Sequence, residues 1–143
     1  MRINGEWLEC DDGCVRPVVR AEVERADKGW EFAVFLVDTG ADCTVLSAVL
    51  NDSLGIAGHL AESRLGGVGG TTPASQVSTR LRMPRENGGF ATFRGGFLAS
   101  PELESMDMNV LGRDILDMFA LVVDRQADVV AIIGARHGYS IHA

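Results

Sequence analysis

A nearly continuous apolar run, from Glu31 to Val37, leads without interruption into Asp38-Thr39-Gly40-Ala41. Apolar residues at almost every position predict a strand buried on both faces. A carboxylate at the end of such a strand must be hydrogen-bonded, paired or protonated, because its desolvation is otherwise costly. The residues that follow supply what it needs. Thr39 offers a hydroxyl, and Gly40 lets the backbone turn tightly while presenting a free N–H. A polar tripeptide wedged between apolar segments is where local rules break for a functional reason.

The rest of the chain is dominated by period-two patterning, with turn residues every eight to twelve positions. Val15 to Val23 reads as a strand with Val19, Ala21 and Val23 on one face and Arg16, Arg20, Glu22 and Glu24 on the other. Asp27-Lys28-Gly29 marks a turn. Cys43 to Ser47 continues as strand, Ser47 to Leu50 can begin a short helix, and Gly55 to Glu62 reads as loosely structured. Ala74–Met83 and Gly89–Leu98 are predicted strands joined by Pro84-Arg85-Glu86-Asn87-Gly88, and Pro101 to Met108 a loop. Asn109-Val110-Leu111 is a short apolar strand ending in Gly112. Ile115, Leu116 and Phe119 then fall on one helical face, which predicts a helix over Arg113 to Phe119. Leu121–Val123 and Val129–Ile133 form strands about the turn Asp124–Asp128. The expectation is one mainly β domain over residues 1–143, with a single short helix and residues 1–14 as an N-terminal extension or hairpin strand.

Composition narrows the function. A net charge of -7 repels phosphate backbones, and the arginines are scattered rather than grouped, so neither nucleic acid nor an anionic membrane is expected as partner. No apolar run reaches the length that spans a bilayer, and the first residues lack the apolar core of a signal peptide, so a cytoplasmic location is expected. Cys10, Cys14 and Cys43 are read as free thiols. Cys10 and Cys14 flank Asp11-Asp12-Gly13, which reads as a three-residue hairpin loop with Gly13 left-handed. His59, His137 and His142 are isolated, and no metal or other cofactor is expected. Serine hydrolase, zincin and phosphate-loop motifs are absent.

The segment Phe35-Leu36-Val37-Asp38-Thr39-Gly40-Ala41-Asp42-Cys43-Thr44-Val45-Leu46-Ser47 resembles the active-site loop of the retropepsin family of aspartic proteases. Gly66-Gly67-Val68-Gly69-Gly70 resembles the glycine-rich flap tip of that family. Asn109-Val110-Leu111-Gly112-Arg113-Asp114-Ile115-Leu116 resembles its second landmark, an apolar strand ending in Gly-Arg-Asp. The three elements occur in the family's order over roughly residues 15–133. The resemblance implies an acid-protease half-barrel that pairs into a homodimer, is closest to bacterial and cellular single-domain members, and acts on peptide or protein substrates. It implies Asp38 as catalytic aspartate and Thr39 as a brace between two active-site loops. Gly40 and Ala41 would lie beside the substrate backbone, and Asp42 and Arg113 would form an ion pair. Gly66, Gly67, Val68, Gly69 and Gly70 would bond the substrate backbone.

A dimer is implied because the chemistry needs two carboxylates and the chain has a single Asp-Thr-Gly. The reading is therefore a homodimeric aspartic endopeptidase. Its alternative is a binding or regulatory module that keeps the fold without proteolysis. A third reading is a protease whose activity responds to oxidation of Cys43.

Overall fold

The computed structural model describes residues 1–67, 70–99 and 108–134. The chain runs β1 (Arg2–Asn4), β2 (Glu6–Glu9), β3 (Val15–Glu24), β4 (Trp30–Val37), β5 (Val45–Leu46), α1 (Ala48–Leu54) and β6 (His59–Gly67). It continues β7 (Gly70–Pro84), β8 (Phe90–Ala99), β9 (Asn109–Leu111), α2 (Arg113–Leu116), β10 (Phe119–Asp124) and β11 (Val129–Gly134). The fold is mostly β, as the alternating pattern predicts.

Two sheets form. A large one has the order β2-β3-β4-β9-β5-β8-β7-β6, and β3 also pairs with β7, so β3, β4, β9, β5, β8 and β7 make a circuit of pairings. The small sheet is β1-β11-β10. The core fills the space between them with Val19, Ala21, Val23, Phe35, Val77, Leu81, Met83, Leu111 and Ile132, among others. Where β3 meets β7, Glu22 bonds Arg82 and Glu24 bonds Arg80. Both acids are buried, whereas Arg20 on the same polar face of β3 is exposed. The Arg82 guanidinium lies 3.8 Å from the Trp30 ring centre and 4.1 Å from that of Phe90. Stacking on the aromatic faces covers the pair from water.

Several expectations need correction. β4 is not buried on both faces: Phe35 and Val37 are, but Phe32 is 80% exposed, and Val34 and Leu36 are only partly covered. The hydrophobic run is thus a one-sided strand whose outer apolar face remains open. Among the described residues there are two helices rather than one. α1 is the longer, with the Ser47 hydroxyl accepting from the Leu50 N–H at 3.3 Å and Gly55 ending it at φ 64°. α2 stops at Leu116, and Phe119 instead opens β10, where it packs edge-on against Phe93. The expected strand from Cys43 shrinks to Val45–Leu46, while the region expected to be loose from Gly55 contains the start of β6 at His59. The predicted hairpin turn at Cys10–Cys14 forms: the Cys10 N–H donates to the Cys14 carbonyl at 2.9 Å, and Gly13 has φ 76°. The predicted loop 101–107, together with His137 and His142, lies outside the described residues.

Candidate active site

The loop carrying Asp38 is held by two strands that run parallel. β4 pairs with β9 in the register Phe35↔Asn109, Leu36↔Val110 and Val37↔Leu111, and the Asp38 N–H continues the ladder to the Leu111 carbonyl at 3.2 Å. Both strands then end in polar turns that interlock. From the first turn, the Ala41 carbonyl accepts from the Arg113 N–H at 2.8 Å, and the Asp42 carbonyl from the Asp114 N–H at 3.1 Å. These bonds satisfy free donors at the start of α2.

Asp38 is half-buried. Its Oδ1 accepts the Gly40 N–H at 2.8 Å, the role the sequence gives that glycine. Backbone donation to a carboxylate fixes its rotamer as well as stabilising its charge. The Ala41 N–H closes the turn on the Asp38 carbonyl at 3.3 Å. Thr39 and Gly40 are exposed at the tip of the turn, and Ala41 is half-buried behind it. Asp42 accepts from the Arg113 guanidinium, whose proton is held more firmly for that reason.

Beneath the loop lies a polar cluster that sequence reading missed. Thr44 is fully buried; its N–H and its hydroxyl both donate to Asp114 Oδ1, at 2.9 and 2.7 Å. The same hydroxyl oxygen accepts the Gly112 N–H at 3.1 Å. Asp114 is thus a clasp between the two turns. Asn109 repeats the device one layer down, accepting the Ser47 N–H at 2.8 Å and donating to the Val34 carbonyl at 3.1 Å. Gly112 is required by space: a Cβ there would lie 2.3 Å from the Cys43 carbonyl carbon. The Gly-Arg-Asp motif was legible; the bonds its Asp makes across the fold were not.

Of the glycines expected to form a flap tip, Gly66, Gly67 and Gly70 fall on the hairpin of β6 and β7, which pairs Gly66 with Thr71 and Gly67 with Gly70. Val68 and Gly69 lie outside the described residues. All three cysteines are free. Partial burial pushes the Cys43 thiol above its usual range, and the Asp114 and Asp42 carboxylates push the same way. Among the described residues no cluster of His, Cys, Asp or Glu is arranged to hold a metal ion, and no helix is long and apolar enough to cross a membrane.

An aspartate presented by a tight turn at the end of a core strand, clasped from below by a second parallel strand and a Gly-Arg-Asp helix start, is the arrangement of an acid-protease lobe. The sequence model of the retroviral aspartyl protease family matches residues 14–123, and the chain belongs to that family. Among solved structures it is similar to the EIAV protease complexed with the inhibitor HBY-793. That likeness has 25% identity and a TM-score of 0.51, covering 71% of this chain and 86% of the viral one. It is similar in fold to a retropepsin-like aspartic protease from Rickettsia conorii, with 18% identity and a TM-score of 0.57 over 92% of this chain and 88% of that one. No curated protein matches the sequence.

Proposed function

We propose that two copies of this chain form an aspartic endopeptidase whose catalytic pair is Asp38 and its symmetry mate. The observation that carries this reading is the Asp38 loop itself. It presents a half-buried carboxylate, oriented by the Gly40 N–H, at a turn whose next residues are exposed and free to meet a partner. One chain provides one such carboxylate, and a twofold axis provides the second.

Two carboxyl groups in hydrogen-bonding reach cannot both ionise easily, so the pair holds one proton between them. The ionised member takes a proton from a water molecule as the water oxygen bonds to the scissile carbonyl carbon. The protonated member donates its hydrogen bond to the carbonyl oxygen. Collapse of the tetrahedral species breaks the C–N bond, the departing amine takes a proton, and the dyad returns to its starting state. In this reading Thr39 braces the paired loops, while Gly40 and Ala41 border the extended substrate. The Arg113–Asp42 pair steadies the loop, and the glycines of the β6–β7 hairpin bond the substrate backbone as an added strand would.

The test is Asp38→Asn, assayed on a mixed peptide library beside sedimentation of the same samples. The variant is expected to sediment as the wild type does and to lose cleavage by at least about 10²-fold. Retained cleavage, or wild-type protein that stays monomeric at concentrations where it cleaves, sinks the proposal. A folded dimer without cleavage in either form favours the binding-module alternative.

A further inference from the structure

Away from the Asp38 loop, a cleft of about 840 Å³ opens between the β3–β4 turn, the end of α1 and the paired strands β7 and β8. Its size is that of a small-molecule site. The charged side chains lining it are Arg25, Lys28, Arg80 and Arg94 against Glu24 alone, in a chain whose net charge is -7.

Two local rules are broken here. Arg80 and Arg94 face each other directly across β7 and β8, where like charges destabilise a sheet. Lys28 has φ 69°, a left-handed conformation that costs a lysine what it would not cost a glycine. Within the fold the Arg80 charge is met by Glu24, and Lys28 closes the β3–β4 turn by donating its N–H to the Arg25 carbonyl at 3.1 Å, which leaves the charges of Lys28 and Arg94. Arg25 is bonded to Asp27 and Glu31, and Glu24 takes Nε and Nη2 of Arg80. Lys28 and Arg94 form no ion pair among the described residues, although both stand close enough to help hold the Glu24 carboxyl below its usual range.

We propose that this cleft binds the phosphate group of a small molecule, with Lys28 and Arg94 as its charge partners. Two cations with no ion pair among the described residues match the charge of a phosphate monoester near neutral pH. A planar carboxylate is satisfied by one guanidinium, as Glu24 is by Arg80. A tetrahedral oxyanion can use donors on several sides, and Arg80 and Ser78 line the same cleft.

The experiment uses the whole chain and inorganic phosphate as probe, with thermal melts and calorimetric titration at constant ionic strength set by chloride. Wild-type protein is expected to show a saturable rise in Tm and a matching calorimetric isotherm. Arg94→Thr relieves the cross-strand repulsion, so this variant is expected to melt higher than wild type without phosphate and to lose the saturable rise. Lys28→Gly relieves the backbone strain and is expected to weaken phosphate binding about tenfold while melting no lower than wild type. Phosphate also stabilises proteins generally by exclusion from their surfaces, which gives an unsaturating rise common to all variants. If wild type shows only that, or if Arg94→Thr binds phosphate as wild type does, the proposal is overturned. Neither residue touches the Asp38 loop, so this outcome is independent of the protease assay.

Discussion

Thr44 and Asp114, far apart in sequence, share three atoms' worth of hydrogen bonding: the N–H and hydroxyl of the one converge on a single carboxylate oxygen of the other. The pair joins the end of the Asp38 turn to the first turn of α2. A bond to a charged acceptor contributes about 1.5–3 kcal/mol. Asp114→Ala is therefore expected to lower unfolding stability by about that amount in urea titrations. It should also loosen the Asp38 loop, seen as faster amide exchange at Gly40 and Thr44.

Arg113→Ala should separate stability from function. The Arg113–Asp42 pair is solvent-exposed, and exposed pairs add little to stability. The backbone bond from Arg113 to Ala41 survives the substitution. Denaturant midpoints should move little, while peptide cleavage under the proposed function should fall; a large stability loss with full activity would contradict this.

Gly112→Ala meets backbone rather than a yielding side chain, since its Cβ would press on the Cys43 carbonyl. Overpacking of this kind costs about 1–3 kcal/mol. The strain falls on the interlock of the two turns, so the Thr44 amide should lose exchange protection ahead of the β7–β8 ladder.

Acid should weaken the β3–β7 junction. The bond from Arg80 holds the Glu24 carboxyl below its usual range, and Arg16 does the same for Asp12. A depressed folded-state value means that the unfolded chain binds protons first. These contributions are full above the ordinary carboxylate range, about pH 4, and are lost as pH falls through the lower folded-state values. Glu24→Gln should therefore flatten the acid limb of a stability-versus-pH curve; an unchanged slope would remove Glu24 from the account.

The Cys43 thiol is pushed up, so at neutral pH it is protonated and a poor nucleophile. Iodoacetamide should modify it more slowly than free cysteine at pH 7.5. Fast modification accompanied by loss of cleavage would instead revive the oxidation-responsive reading.

What could be read from the sequence follows the range of the interactions involved. The strands β7 and β8 and the hairpin at Gly13 are written in alternation and turn chemistry within a few residues. So are the two ends of α1, capped by Ser47 at its start and by the left-handed Gly55 at its stop. Hydropathy misled at Phe32, because an apolar side chain records a preference for burial and not the presence of a cover. The bonds that Thr44, Asn109 and Asp114 make left no local trace. Their partners lie on other elements, and nothing in a short window distinguishes a clasping Asp from a solvated one.

The parallel pairing of β4 with β9 has a consequence for how the molecule comes into being. Asn109 reaches back 75 positions to Val34, and only then does the second turn exist to grip the first. Closing so wide a loop is entropically late, and contacts of such separation slow assembly. On the ribosome, the aspartate emerges long before the segment that shapes it. The Asp38 turn therefore cannot be completed until the β9 segment has followed it out, a delay written into topology alone.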